Sequence, residues 1–302
     1  MKNINKKLLL LIFLLGIISC KSVNSVLDNE INFNQTSYGT IFLTTVFPAR
    51  GVILLVHGLN TNPEKMGDDK SDGTLAKYFL DAGYHVYRVT LPGHSGDITE
   101  MQNVKAQDWL NSALSQYHEA ANIAINNNIP IYLAAFSLGS LVYLNLLHND
   151  NNVVFEKMVF LAPAIATKKI TRVGISAASV FCSGRSIISS RAPAEYRAQR
   201  GVSVSAYKAL FELESNLHAN EFANCNINTL IFIDPNDELI NISGLGNIIT
   251  NYNLSNWNIE TISNTGAVIN PNYHHLIIDN KSLSPDTWNA LCVKILQFLT
   301  EL

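Results

Sequence analysis

The stretch Ile131-Tyr132-Leu133-Ala134-Ala135-Phe136-Ser137-Leu138-Gly139-Ser140-Leu141-Val142-Tyr143 decides the fold. Its first half is an uninterrupted apolar run with the length of a buried strand, and from Gly139 to His148 the chain reads as a helix. Ala135-Phe136-Ser137-Leu138-Gly139 leaves no room for a loop, so the strand passes directly into the helix. A serine on so tight a turn needs small neighbours, because its backbone is strained and the helix packs close against the strand. The turn pushes the Ser137 hydroxyl outward and leaves the Leu138 N–H at a helix N-terminus, where it can meet a developing negative charge. Serine is also a good helix N-cap. The pentapeptide alone does not separate the two roles, and its surroundings must.

Working outward, apolar runs at 39–47, 52–56, 85–90, 131–135, 158–161, 229–233 and 258–262 read as strands. Helical periodicity occupies 74–82, 104–126, 139–148 and 287–302. In 104–126 the residues Leu110, Ala113, Leu114, Tyr117 and Ala121 recur at three- and four-residue steps and define one buried face. Strands that alternate with helices predict an α/β fold, a mostly parallel sheet covered on both faces. The rhythm fails between Leu161 and Thr229, where a Ser/Ala/Arg-rich passage precedes helical spacing at 204–217. A structureless loop of that length is anomalous in a compact domain, so an inserted lid at about 165–222 is expected. Its arginines, Arg185, Arg191, Arg197 and Arg200, read as a solvated face.

A serine hydroxyl is a weak nucleophile and needs a base oriented by an acid. Asp234-Pro235-Asn236-Asp237-Glu238-Leu239-Ile240 follows the strand at 229–233, and Tyr273-His274-His275-Leu276-Ile277-Ile278-Asp279 follows the next one. Both lie beyond strand C-terminal ends, where open parallel sheets place their sites. These residues leave the acid open between Asp234 and Asp237, and the base between His274 and His275. Straight after 52–56 comes His57-Gly58-Leu59-Asn60, in which the glycine permits a sharp turn and the Leu59 N–H can serve as a second oxyanion donor. His57 reads as a loop organiser and His94 as a packed loop residue. His274-His275 has no third ligand at a spacing that would suggest zinc.

Together His57-Gly58, Leu91-Pro92-Gly93-His94-Ser95, the Ser137 pentapeptide, Asp237-Glu238-Leu239-Ile240 and His274-His275-Leu276-Ile277-Ile278-Asp279 resemble the monoacylglycerol lipase/lysophospholipase branch of the α/β-hydrolases, the serine aminopeptidase S33-type hydrolases. The resemblance spans about residues 38–302. It implies an α/β-hydrolase fold and a serine esterase, with Ser137 as nucleophile, Asp237 as acid, His274 as base, and an oxyanion hole from Leu59 and Leu138. It favours Asp237 over Asp234 through a D-x-x-[V/I] step, and His274 over His275 because His274 stands five residues before Asp279. Two departures are Ala135 where the family usually has Gly, and Ser95 where Gly is common. No cofactor or metal is implied. The implied substrate is a small-molecule or lipid ester; a thioesterase, a peptidase or a catalytically silent binding protein of the same fold are the alternatives.

The remaining sequence bounds the setting. The 302 residues are 47% hydrophobic and 15% charged with formal net charge -3, and no basic stripe follows the extreme N-terminus, which argues against nucleic acid as a partner. Lys2, Lys6 and Lys7 precede an apolar run from Leu8 to Leu15, too short to span a membrane, and then Ile17-Ile18-Ser19-Cys20. This segment, residues 1–20, resembles a bacterial lipoprotein signal whose cleavage leaves Cys20 as the lipidated first residue of the mature protein, with 21–35 as a tether and 36–302 as the hydrolase domain. The expected location is the cell envelope, on a membrane. Cys182, Cys225 and Cys292 read as buried thiols, with Cys182–Cys225 the pair to test for oxidation.

Overall fold

The computed structural model describes residues 38–169, 171–175 and 183–301. The expected signal, Cys20, the tether and Cys182 lie outside these residues. Among the described residues no helix is long and apolar enough to cross a membrane.

The chain begins with a short strand β1 (Ile41–Leu43), the fully buried β2 (Val52–Val56), helix α1 (Leu75–Asp81) and strand β3 (His85–Val89). Helices α2 (Ile98–Asn103) and α3 (Ala106–Asn127) lead to β4 (Ile131–Phe136), which runs into α4 (Leu138–Asn149) and then β5 (Met158–Leu161). A small ribbon of β6 (Ile187–Ser189) and β7 (Gly201–Ser203) precedes α5 (Val204–Ala219). The chain closes with β8 (Thr229–Ile233), α6 (Ile242–Asn251), β9 (Trp257–Thr261) and α7 (Pro285–Thr300).

The main sheet has seven strands in the order β1-β3-β2-β4-β5-β8-β9, and β1 alone is antiparallel to its neighbour. Burial on both faces explains the continuous apolar runs. Val52, Leu54 and Val56 face one core with Trp109, Ala113 and Leu141, and Ile53 and Leu55 face the other with Phe79, Leu291 and Ile295. Helix α4 is apolar around most of its circumference because it is enclosed by the sheet, α3 and α5. β5 pairs directly with β8, so the described residues between Leu161 and Thr229 are carried outside the sheet as loops, the ribbon and α5.

The structure departs from the sequence reading at the edges. The first strand shrinks to Ile41–Leu43 and two helices were not anticipated. α6 contains Gly244 and Gly246, which weaken its helical signal, and is started by Asn241, whose side chain accepts the Gly244 N–H at 3.1 Å. α2 is a single short turn-and-a-half capped by Asp97. Cys225 is a free, buried thiol whose Sγ lies 3.5 Å from the Leu144 carbonyl.

Candidate active site

The strand order reverses between β2 and β4: β3 lies on one side of β2 and β4 on the other. In open α/β sheets such a reversal leaves a crevice at the strand C-termini. The parallel register sets Val56 beside Ala135, so His57-Gly58-Leu59 and Phe136-Ser137-Leu138 emerge side by side. A Cβ on Gly58 would come 2.7 Å from the Phe136 ring and 3.1 Å from Ser137 Cβ, and one on Gly139 would come 2.8 Å from Val56 Cγ1 and 2.9 Å from the His57 carbonyl. These close approaches explain the glycines. Ala135 in place of glycine is buried within β4 and is accommodated there.

Ser137 has φ 48 and ψ -109, a conformation that non-glycine residues seldom adopt. It is held by the Ser137 N–H to the Leu161 carbonyl at 2.9 Å and the Ala164 N–H to the Ser137 carbonyl at 3.1 Å. Ser137 Oγ lies 2.9 Å from His275 Nε2, and His275 Nδ1 lies 2.8 Å from Asp237 Oδ2. Since the carboxylate only accepts, Nδ1 carries the hydrogen and Nε2 is left to accept from the serine hydroxyl. Asp237 Oδ1 accepts the N–H groups of Leu239 and Ile240 at 2.7 and 2.8 Å, and its backbone carbonyl accepts from Lys168 Nζ. Burial alone would raise the Asp237 pKa; the His275 imidazole, its hydrogen bond and the two N–H groups outweigh it and hold the carboxyl below its usual value.

The geometry corrects the choice of histidine. His274, the expected base, turns its Nδ1 to Asp234 Oδ2 at 3.1 Å and does not reach Ser137. The adjacent His275 takes that place because the backbone of the turn is fixed from outside: Glu238 accepts the N–H of His274 at 2.8 Å and of His275 at 3.1 Å. Spacing to Asp279 misled because that carboxylate is engaged elsewhere, accepting the Tyr196 hydroxyl and the N–H of Ser282. Asp237 is the carboxylate the structure brings to the histidine beside Ser137, whereas Asp234 is fully buried under His274, Asn236 and Asn264.

Leu59 lines the same cavity as Ser137, and Leu138 is the first residue of α4, where an N–H has no intrahelical acceptor. The Leu59 loop is braced by two histidines. His57 Nε2 accepts the Leu91 N–H at 3.0 Å and its Nδ1 donates to the Gly58 carbonyl at 2.8 Å; His94 Nε2 accepts the Asn60 N–H at 2.9 Å. Burial drives both pKa values down, His57 well below its usual value and His94 to about 4, so both rings are neutral. Trp109 adds a bond from Nε1 to the Pro92 carbonyl at 2.9 Å. The sequence did not reveal Asn60, whose side-chain amide brackets Gln199, accepting its N–H at 2.8 Å and donating to its carbonyl at 3.1 Å. Asn60 ties the lid to this loop. The one hint was the residue type itself, asparagine being suited to the left-handed φ of 56 found there.

The cavity over Ser137 has a volume of about 90 Å³. Its wall is mostly apolar, with Leu59, Phe136, Val202, Leu210, Phe211 and Leu239 among the lining residues.

Residues 48–209 match the family described as serine aminopeptidase, S33, more than half of the chain. The chain belongs to this family. Its hydrolase fold recurs in a soluble variant of the monoglyceride lipase of Saccharomyces cerevisiae, 15% identical with a TM-score of 0.67 over 89% of this chain and 93% of that one. It recurs in the Paleococcus ferrophilus monoacylglycerol lipase, 18% identical with a TM-score of 0.63 over 87% and 98%. A structure of the metagenome-derived lipolytic enzymes LipS and LipT is 17% identical with a TM-score of 0.62 over 86% and 96%. At this level of identity the likeness speaks to the α/β-hydrolase fold. No curated protein matches the sequence.

Proposed function

We propose that this S33-family hydrolase cleaves carboxylic esters through an acyl-enzyme on Ser137, with His275 as general base and Asp237 as its orienting acid. The observation that carries the reading is the unbroken relay from Ser137 Oγ to His275 Nε2 at 2.9 Å and from His275 Nδ1 to Asp237 at 2.8 Å, opening on an apolar cavity. In the first half-reaction His275 takes the hydroxyl proton as Ser137 attacks the carbonyl carbon. The Leu59 and Leu138 N–H groups receive the oxyanion, and His275 returns the proton to the departing alcohol. Water repeats the sequence and frees the acid.

The described lining residues include no carboxylate. An aminopeptidase needs an anion to hold its substrate's ammonium group, so this wall supports an ester over a peptide. An apolar cavity of about 150 Å³ holds a benzene ring, and the smaller space here favours short acyl groups with the lid as it stands. We infer also that residues 1–20 form a lipoprotein signal and that Cys20 anchors the protein to the membrane of a bacterial envelope. Cys20→Ala should move the protein from the membrane fraction to the soluble one.

Hydrolysis of p-nitrophenyl esters from acetate to palmitate tests the activity. Turnover strongest on acetate or butyrate and absent in Ser137→Ala supports it. A folded protein that hydrolyses no ester, and whose Ser137 takes up no fluorophosphonate, would sink it in favour of a silent binding protein.

A further inference from the structure

The loop that follows β8 carries three carboxylates, and the proposed chemistry uses one. Asp237 holds His275, whereas Asp234 and Glu238 make no bond to Ser137 and are not among the residues that line the cavity. Each nonetheless grips the histidine turn. Asp234 Oδ2 meets His274 Nδ1 at 3.1 Å and also accepts the Asn264 N–H at 3.0 Å, close to where the chain leaves β9. Asn264 Nδ2 then donates to the Tyr273 carbonyl at 3.0 Å, closing the loop on itself. Glu238 spans the turn's backbone, Oε1 on the His274 N–H at 2.8 Å and Oε2 on the His275 N–H at 3.1 Å.

This arrangement addresses a specific hazard. Two identical imidazoles stand next to each other in the chain, and each has an aspartate within reach. Side-chain chemistry cannot tell His274 from His275, because either ring could pair with either carboxylate. Glu238 instead grips the backbone, its two oxygens accepting two consecutive N–H groups. Losing that grip would free the turn to shift and carry His275 off Ser137. We propose that Glu238 is a positioning residue that clamps the backbone of the histidine turn, so that His275 is held on Ser137. Asp234 takes up the other histidine and so removes the competing pairing. The inference rests on the esterase reading for its kinetic test and on geometry alone for its spectroscopic one.

The full chain with Glu238→Ala, Glu238→Gln and Asp234→Asn tests it. Misplacing a catalytic group by about 1 Å costs roughly 100-fold, so Glu238→Ala should lower kcat on p-nitrophenyl butyrate by roughly that factor with KM nearly unchanged. Glu238→Gln keeps one acceptor oxygen and should fall between Glu238→Ala and the parent, while Asp234→Asn should show a smaller loss. The low-field imidazole N–H proton of the His275–Asp237 bond, seen by NMR without substrate, should persist in Glu238→Gln and vanish in Glu238→Ala. A Glu238→Ala protein with parental kcat and an intact low-field proton overturns the inference. So does a loss carried by KM, or an equal loss in both Glu238 variants. If Glu238→Ala does not fold, Glu238→Gln decides: an intermediate kcat at constant KM supports the proposal and parental kcat refutes it. A parent without ester turnover sinks the esterase reading, and the NMR signal then still judges the clamp on the histidine turn.

Discussion

Exchanging the two neighbouring histidines for alanine, one at a time, separates structure from spacing. His275→Ala removes the only imidazole within hydrogen-bond reach of Ser137 Oγ among the described residues. Loss of a positioned general base costs roughly 100- to 10,000-fold, and more where base and nucleophile act as one unit, so kcat should fall at least 1,000-fold, on the order of 4 kcal/mol of barrier. His274→Ala removes a bond of 3.1 Å to Asp234, which keeps the N–H groups of Asn236 and Asn264 at 2.8 and 3.0 Å. A hydrogen bond to a charged group contributes about 1.5–3 kcal/mol to stability; His274 is partly exposed, so the lower end applies. The His274→Ala protein should therefore melt earlier yet retain kcat/KM within about tenfold, since Glu238 still holds the turn. Both variants are assayed on p-nitrophenyl butyrate alongside the rate of fluorophosphonate labelling at Ser137. Losses of the same size in both, or activity that survives His275→Ala and dies with His274→Ala, would refute the assignment of His275.

Three further outcomes follow from the same geometry. Asp237→Asn should lower kcat by about 1,000-fold or more, because an amide that donates to Nδ1 forces the wrong tautomer. Since the folded Asp237 pKa is depressed, its stabilisation is present above the unfolded value near 3.9 and lost as pH falls through the lower folded value; acid unfolding of Asp237→Asn should lack that component. His94, with its pKa pushed by burial to about 4, stays neutral in the fold while the unfolded side chain protonates near 6.5. Stability should thus decline as pH falls from about 6.5 to 4, by about 3 kcal/mol from this group, and denaturant midpoints of His94→Asn should show a shallower decline. Gly139→Ala would drive a Cβ to 2.9 Å from the His57 carbonyl, a contact with backbone that cannot swing away. Overpacking of this kind costs about 1–3 kcal/mol, so the variant should melt several degrees lower and lose most of its ester turnover, and a parental melting temperature would refute the close-approach argument.

Much of the fold was legible because its signals are local. The runs at 52–56, 158–161 and 229–233 coincide with β2, β5 and β8, since strands buried on both faces tolerate only apolar residues. The strand-to-helix turn at Ser137 was legible for the same reason, its small neighbours being required within five residues. Less was visible where partners are distant. α6 hides behind two glycines and rests on Leu245 and Ile248 packing into the core. Asn60 is silent in sequence because its partner Gln199 is separated from it by 139 positions.

Sequence alone determined the alternating α/β plan, Ser137 on its turn, Leu59 after β2 and the two loops from which an acid and a base must come. Residue chemistry could not choose within those loops, since Asp234 and Asp237 are chemically alike and His274 and His275 are identical; the family resemblance picked Asp237, which meets the histidine beside Ser137, and His274, which does not. That choice belongs to the tertiary structure. β8 and β9 run parallel in register from Thr229 and Trp257 to Ile233 and Thr261, which brings the two loops together. Glu238 then fixes the turn through backbone N–H groups that every residue type possesses and that no side-chain motif can reveal.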